Sequence, residues 1–147
     1  MRNTSFFTTQ HAHLPIIHPM TFWQSFYGGP LRKPPPALQY AMWALAAQYH
    51  QKYSEYAEVF YARARQYLDA DEMRGSGEHF ITLQHAQAYA IVATYEAKRM
   101  LFTRSAMTSA KCIRLVQMMG LDRLDGEQDE LPPTLMPTTS WVEMEER

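Results

Sequence analysis

Apolar side chains recur along this chain at helical spacing and nowhere at the sustained two-residue alternation of a half-buried strand. The clearest run follows the prolines at 34–36. Leu38, Ala41, Met42, Leu45, Ala46 and Tyr49 stand three or four positions apart and predict one broad buried stripe. A second helix is predicted from Ser54, a capping residue, with Glu55 in its first turn. Its buried face is Ala57, Phe60, Tyr61, Ala64, Tyr67 and Leu68, with Arg63 and Arg65 in solvent. The short link between these two helices predicts antiparallel neighbours.

A polar loop with Gly75 and Gly77 follows over 69–79. The third run, 82–100, is apolar on most sides from Ala86 to Ala97, which predicts a helix buried at the centre of a bundle. The fourth, 105–120, is capped by Ser105 or Thr103 and is predicted to bury Ala106, Ala110, Ile113 and Val116, with Cys112, Leu115 and Met119 beside them. Lys111, Arg114 and Gln117 then face away, and Gly120 supplies a left-handed stop with Leu121 making the accompanying contact.

The N-terminal part is less regular. Residues 1–18 read as an irregular lead-in, turn-rich or helical over a short length, that lays Phe6, Phe7, Leu14, Ile16 and Ile17 on the rest. A short helix over 19–27, opened by Pro19 and stopped by Gly28-Gly29-Pro30, presents Phe22, Trp23 and Phe26. Residues 122–139 form a proline-rich acidic loop, after which Ser140 and Glu143 make a capping box that opens another helix. The expected fold is all-α: about four long helices plus a short N-terminal one, in serial antiparallel hairpins of a single superhelical domain over 1–147, cut short at its C-terminus.

Composition narrows the function. A net charge of −1 lacks the basic excess of a phosphate-binding domain, which argues against direct nucleic-acid binding by this segment. A single cysteine, Cys112, excludes an internal disulfide framework and a multi-cysteine zinc site. No apolar run approaches the ~20 residues of a membrane span.

The candidate chemistry is sparse. His11, His13 and His18 crowd one stretch, but no carboxylate or cysteine accompanies them and no H-E-x-x-H spacing occurs, so packing is favoured over metal binding. His79 and His85 flank the start of the third long helix, with Glu78 and Glu96 the nearby acids; Glu96 lies three turns beyond His85, too far for a pair. Cys112 sits in mid-helix, where a small buried hydrophobe is expected rather than a reactive thiol. A bundle this rich in aromatics could also enclose a small-molecule cavity, although no effector is indicated.

In order and spacing, "HLPIIHPMTF" (13–22), "PPALQYAMWALAAQY" (35–49), "AEVFYARARQYL" (57–68), "QHAQAYAIVATYE" (84–96), "SAKCIRLVQMMGLDRLD" (109–125) and "WVEMEER" (141–147) resemble the fungal-specific transcription factor domain. This is the regulatory middle homology region of fungal binuclear zinc-cluster transcription factors, also called the xylanolytic activator regulatory domain. The resemblance implies an all-α regulatory domain of a nuclear transcription factor, acting through intramolecular or protein contacts. It implies no catalytic, cofactor, metal or DNA-binding residue in this segment, since zinc and DNA contact belong to a separate N-terminal six-cysteine module that this sequence lacks. Asp122 stands where the family often has histidine. The family continues past the "WVEMEER" block, so the chain is expected to be a fragment that exposes apolar surface and self-associates or is marginally stable. The alternative is a helical-repeat scaffold unrelated to transcription, with predicted hairpin starts about 44 residues apart. In the "HAHLPIIHPMTF" stretch the working residues are expected to be Ile17 and Phe22, with His18 capping the short helix and His11 and His13 dispensable.

Overall fold

Three prolines deliver the chain to the helix that organises the molecule, because a proline at a first helical position costs no hydrogen bond. The structure, a computed structural model, describes residues 2–123. Among the described residues six α-helices run in the order α1 (Arg2–Thr9), α2 (Pro19–Tyr27), α3 (Pro36–Gln48), α4 (Ala57–Glu72), α5 (Leu83–Lys98) and α6 (Phe102–Met118), with short 3-10 turns in the α2–α3, α3–α4 and α4–α5 links. Among the described residues there is no strand, so the fold is all-α as the periodicity requires. The proline-rich acidic loop beyond Arg123 and the capping box at Ser140 lie outside the described residues.

Helix α3 packs on α4, α5 packs on α6, and α3 and α5 meet between the two pairs. Both central helices are therefore covered on most sides. Helix α3 buries Ala37, Ala44 and Ala47 as well as the predicted Leu38, Ala41, Met42, Leu45 and Ala46. Tyr49 falls past its end and is 56% exposed, so it is not part of the stripe. Helix α4 buries Ala57, Tyr61, Ala64 and Leu68, with Phe60 and Tyr67 half-buried, close to the predicted face. It begins at Ala57 behind a 3-10 turn at Ser54–Tyr56, and Ser54 does not cap it.

Within the lead-in, residues 2–9 form a helix, α1, which packs on α3 with Phe6 fully buried. Trp43 on α3 donates its indole N–H to the Asn3 side chain of α1, a long-range tie that local periodicity cannot reveal. Helix α6 is rotated from the predicted face. It starts at Phe102, without a side-chain cap, and turns Ser105, Thr108, Cys112, Leu115 and Met119 inward at alternating spacings of three and four. Ala106, Ala110 and Ile113 point outward instead. The predicted Cys112, Leu115, Val116 and Met119 do pack on the core, but the inward stripe begins with the small polar Ser105 and Thr108, which carry no hydrophobic signal, ahead of Cys112. Their hydrogen bonds run to α5: Ser105 Oγ donates to the Ala93 carbonyl at 2.9 Å and the Cys112 thiol to the Ala86 carbonyl at 3.3 Å.

The histidine stretch resolves into separate structural tasks. His18 caps α2, its Nδ1 accepting from the Thr21 N–H at 3.4 Å and lying 3.2 Å from the Thr21 hydroxyl. His11 Nε2 lies 2.9 Å from the Ile17 carbonyl and donates to it. His13 is exposed. The stretch is tied to the core from the other side, where Gln87 of α5 donates to the Ile16 carbonyl at 2.7 Å. His11 thus holds a backbone carbonyl, where a dispensable side chain was expected. His11→Ala is expected to cost about 0.5–1.5 kcal/mol, the net worth of one hydrogen bond, whereas His13→Ala should stay within about 0.5 kcal/mol of the parent. Urea unfolding of the two variants measures the difference.

Candidate interaction surface

A charged residue on a helix that is apolar all round must find partners, since an isolated buried charge is too costly to keep. Glu96, in "AYAIVATYEA", is that residue, and it is 0% exposed. Tyr61 of α4 donates to its Oε1 at 2.6 Å. The Thr108 hydroxyl of α6 lies 2.7 Å from its Oε2 and 2.9 Å from the Arg104 carbonyl. Arg65 stands 3.7 Å from the carboxylate and donates to Thr108 at 2.9 Å. Arg104 of α6 reaches back to the Tyr61 hydroxyl at 3.2 Å. One buried carboxylate thus joins α4, α5 and α6. Arg65 is part of this join and not a solvated side chain.

The tyrosines above it continue the network. Tyr61 and Tyr95 stack with ring centroids 4.9 Å apart, and the Tyr95 hydroxyl lies 3.3 Å from Glu58. Burial, with the adjoining carboxylates, raises the pKa of both phenols, that of Tyr95 to about 12.

This join supports the corner between α5 and α6. Helix α5 ends in a left-handed turn at Met100, whose φ is 59°. The Met100 N–H bonds the Ala97 carbonyl and the Leu101 N–H bonds the Glu96 carbonyl, each at 2.9 Å, which is the Schellman closure. Glycine is the usual residue there, and a side chain in that region is strained. The turn holds Met100 77% exposed, and beside it Phe102 and Met107 are each 68% exposed. These residues and Leu101 border a groove of about 570 Å³ whose other walls include Arg65, Arg104 and Lys111. Helix α6 carries Arg104, Lys111 and Arg114 and no acidic residue. Across its far rim Lys111 pairs with Glu72 of α4 at 2.6 Å. The result is a groove with apolar and basic walls, in which Arg65 faces Glu96, Lys111 faces Glu72 and Arg104 reaches the Tyr61 hydroxyl.

The other candidate residues do not converge. His85 is buried at the start of α5, where its Nε2 lies 3.0 Å from Asp71 and its Nδ1 lies 2.7 Å from the Thr82 hydroxyl. Thr82 also accepts the His85 N–H as the cap of α5, so this group fastens the α4–α5 connection. Glu96 lies almost three turns away and shares no partner with it. His79 is exposed. Cys112 is half-buried, and burial raises its thiol pKa, the opposite of an activated nucleophile. Sequence reasoning considered Glu96 only as a partner for His85 and did not find its network. The available signal was the lone acid within an otherwise apolar helix.

The molecule is an all-helical domain braced internally by a buried carboxylate, with Met100, Phe102 and Met107 among its exposed apolar side chains at the α5–α6 corner. The chain matches the fungal specific transcription factor domain over residues 4–147 and belongs to that family. It is 34% identical to the pigment biosynthesis transcriptional activator pigB of Monascus ruber over 149 aligned positions, covering 99% of this chain and 26% of that protein. It is 26% identical to the citrinin biosynthesis transcriptional activator mrl3 of the same species, covering 99% and 28%. A transcription factor of Aspergillus terreus is 32% identical over 86% of this chain and 21% of its own length. The chain spans about a quarter of the length of these curated relatives. No solved structure matches it.

Proposed function

We propose that this regulatory domain acts in the nucleus and modulates transcription by a protein contact at the α5–α6 corner, leaving zinc and DNA to a separate module. The relatives are transcriptional activators of pigment and citrinin biosynthesis, which supports a role in controlling a biosynthetic gene set. The observation that carries the contact is the groove itself. Large apolar side chains held in solvent by a strained turn mark an interaction site, and flexible methionines suit a surface that adapts to its partner. The cationic border selects the partner's chemistry: an amphipathic helix with one apolar and one acidic face, laid into the groove. The helical-repeat scaffold has no comparable support, since the family is that of transcription factors.

The test uses the purified chain and a labelled synthetic helix with leucines on one face and glutamates on the other, read by fluorescence anisotropy. Phe102→Ser with Met107→Glu, at positions each 68% exposed, should leave the melting temperature unchanged and weaken binding at least about tenfold. The same peptide with lysines for glutamates should bind at least about tenfold more weakly. Equal binding of both peptides overturns the acidic partner. So does a concentration-dependent dimer in sedimentation equilibrium that the double variant abolishes, because the groove would then be filled by a second copy of the chain.

A further inference from the structure

A second concavity lies between α1, α3 and the start of α4, and its chemistry differs from that of the α6 groove. Its volume is about 770 Å³, within the range of sites for small organic molecules. Aromatic rings form its walls: Trp43 from α3, Tyr53 and Tyr56 from the α3–α4 link, and Phe60 from α4. The Trp43 and Phe60 rings meet edge to face with centroids 5.8 Å apart, and Tyr56 lies 6.3 Å from Phe60. The Trp43 indole is anchored on Asn3. Ala46 and Ala47 of α3 give the concavity small side chains over which a flat body can lie. The tyrosines at the mouth are exposed, Tyr53 by 45% and Tyr56 by 47%, although their rings would gain from burial.

Among the described residues that line it there is no Asp, Glu, Lys or Arg. Its polar groups are the hydroxyls of Ser5, Tyr53 and Tyr56 and the imidazole of His50. His50 accepts the Lys52 N–H through Nδ1 at 3.3 Å, which places its own proton on Nε2 and leaves it a donor. We infer that this concavity is a small-molecule site for an uncharged, planar aromatic compound bearing phenol or carbonyl oxygens. Stacking on the rings binds the flat body, and the hydroxyls and imidazole bond its oxygens. A charged ligand would find no counter-ion among the lining residues; Lys52, next in sequence, places its ammonium 5.8 Å from the Tyr53 ring as a cation–π partner. This site makes the regulatory domain a sensor, and it does not depend on the groove at α6.

Isothermal titration of the purified chain with 1-naphthol, a planar neutral phenol, tests the site, with fully saturated decahydro-1-naphthol as the comparator. The expected result is saturable one-to-one binding of 1-naphthol, at least about tenfold tighter than the saturated alcohol. Tyr53→Ala with Tyr56→Ala should weaken 1-naphthol at least about tenfold, while Tyr27→Ala, at a position 79% exposed on α2, should not change it. Tyr56→Leu keeps the bulk and loses the ring, so it carries the test should the double variant fold poorly. Absence of saturable binding, equal affinity for the saturated alcohol, or an unchanged affinity in the folded tyrosine variants overturns the inference. The Phe102→Ser, Met107→Glu chain should bind 1-naphthol like the parent, which separates failure at this site from failure at the α6 groove.

Discussion

Glu96→Ala is expected to lower the stability of the domain by about 3–5 kcal/mol, the usual cost of removing one partner from a buried charged network. The side chain is fully enclosed and answers two hydroxyl donors from two other helices. Truncation leaves the Tyr61 hydroxyl short of an acceptor and the Thr108 hydroxyl with the Arg104 carbonyl alone, deprives Arg65 of its counter-charge and opens a cavity. Glu96→Gln keeps the shape but loses the charge, and one of its amide N–H groups must face a hydroxyl that now has to accept. It should cost less than the alanine variant. The urea midpoint at constant slope measures both. A loss below about 1 kcal/mol for Glu96→Ala would mean that water satisfies these donors and that the network does not brace α6.

The same region contributes to the alkaline limit of the fold, together with Tyr89 of α5, whose pKa burial also raises. An exposed tyrosine ionises near pH 10, whereas burial lifts Tyr95 to about 12 and raises Tyr61 as well. Between these values the unfolded chain has released protons that the folded chain still holds, so stability falls as pH rises. The contribution is complete below about pH 10 and is lost as pH rises through about 12. Ultraviolet titration of tyrosinate, followed beside the melting temperature, should show the late phenols ionising together with unfolding.

The helix positions and most of the core were legible in sequence because burial on one face leaves a 3.6-residue period. The stripe of α4 and the stop at Gly120, where φ is 69°, follow from local rules and are found. What stayed hidden depends on partners distant in sequence. Helix α6 is turned by Ser105, whose hydroxyl bonds the Ala93 carbonyl of α5, and by Thr108, which bonds the Glu96 carboxylate, so its buried face contains polar residues that a hydrophobic count discards. Helix α1 is held in place by Phe6 and by the Asn3–Trp43 bond, forty positions apart. The three histidines suggested one site because they are close in sequence, yet the chain turns between them and gives His11 and His18 different backbone partners. The groove at α6 depends on a left-handed methionine, which no residue preference foretells.

Phe22→Asp is expected to remove more than about 5 kcal/mol, enough to unfold a domain whose total stability lies near 5–15 kcal/mol. Phe22 is 3% exposed, and its ring lies 5.4 Å from both Phe7 and Trp23 and 5.9 Å from Phe26. Losing the ring alone costs about 3–5 kcal/mol, and the new carboxylate enters an apolar cluster with no cation among its aromatic neighbours. Helix α2 is held to the molecule by this cluster, by the His11 bond to Ile17 and by the Gln87 bond to Ile16. The shape of the melt therefore decides what kind of unit the domain is. Complete loss of the helical signal at room temperature means that the N-terminal layer and the α3–α6 core fold together. A retained transition of reduced amplitude means that α1 and α2 detach while the core survives. That second outcome would also open the aromatic concavity, since Ser5 and Asn3 of α1 leave with the layer, and 1-naphthol affinity should fall with it.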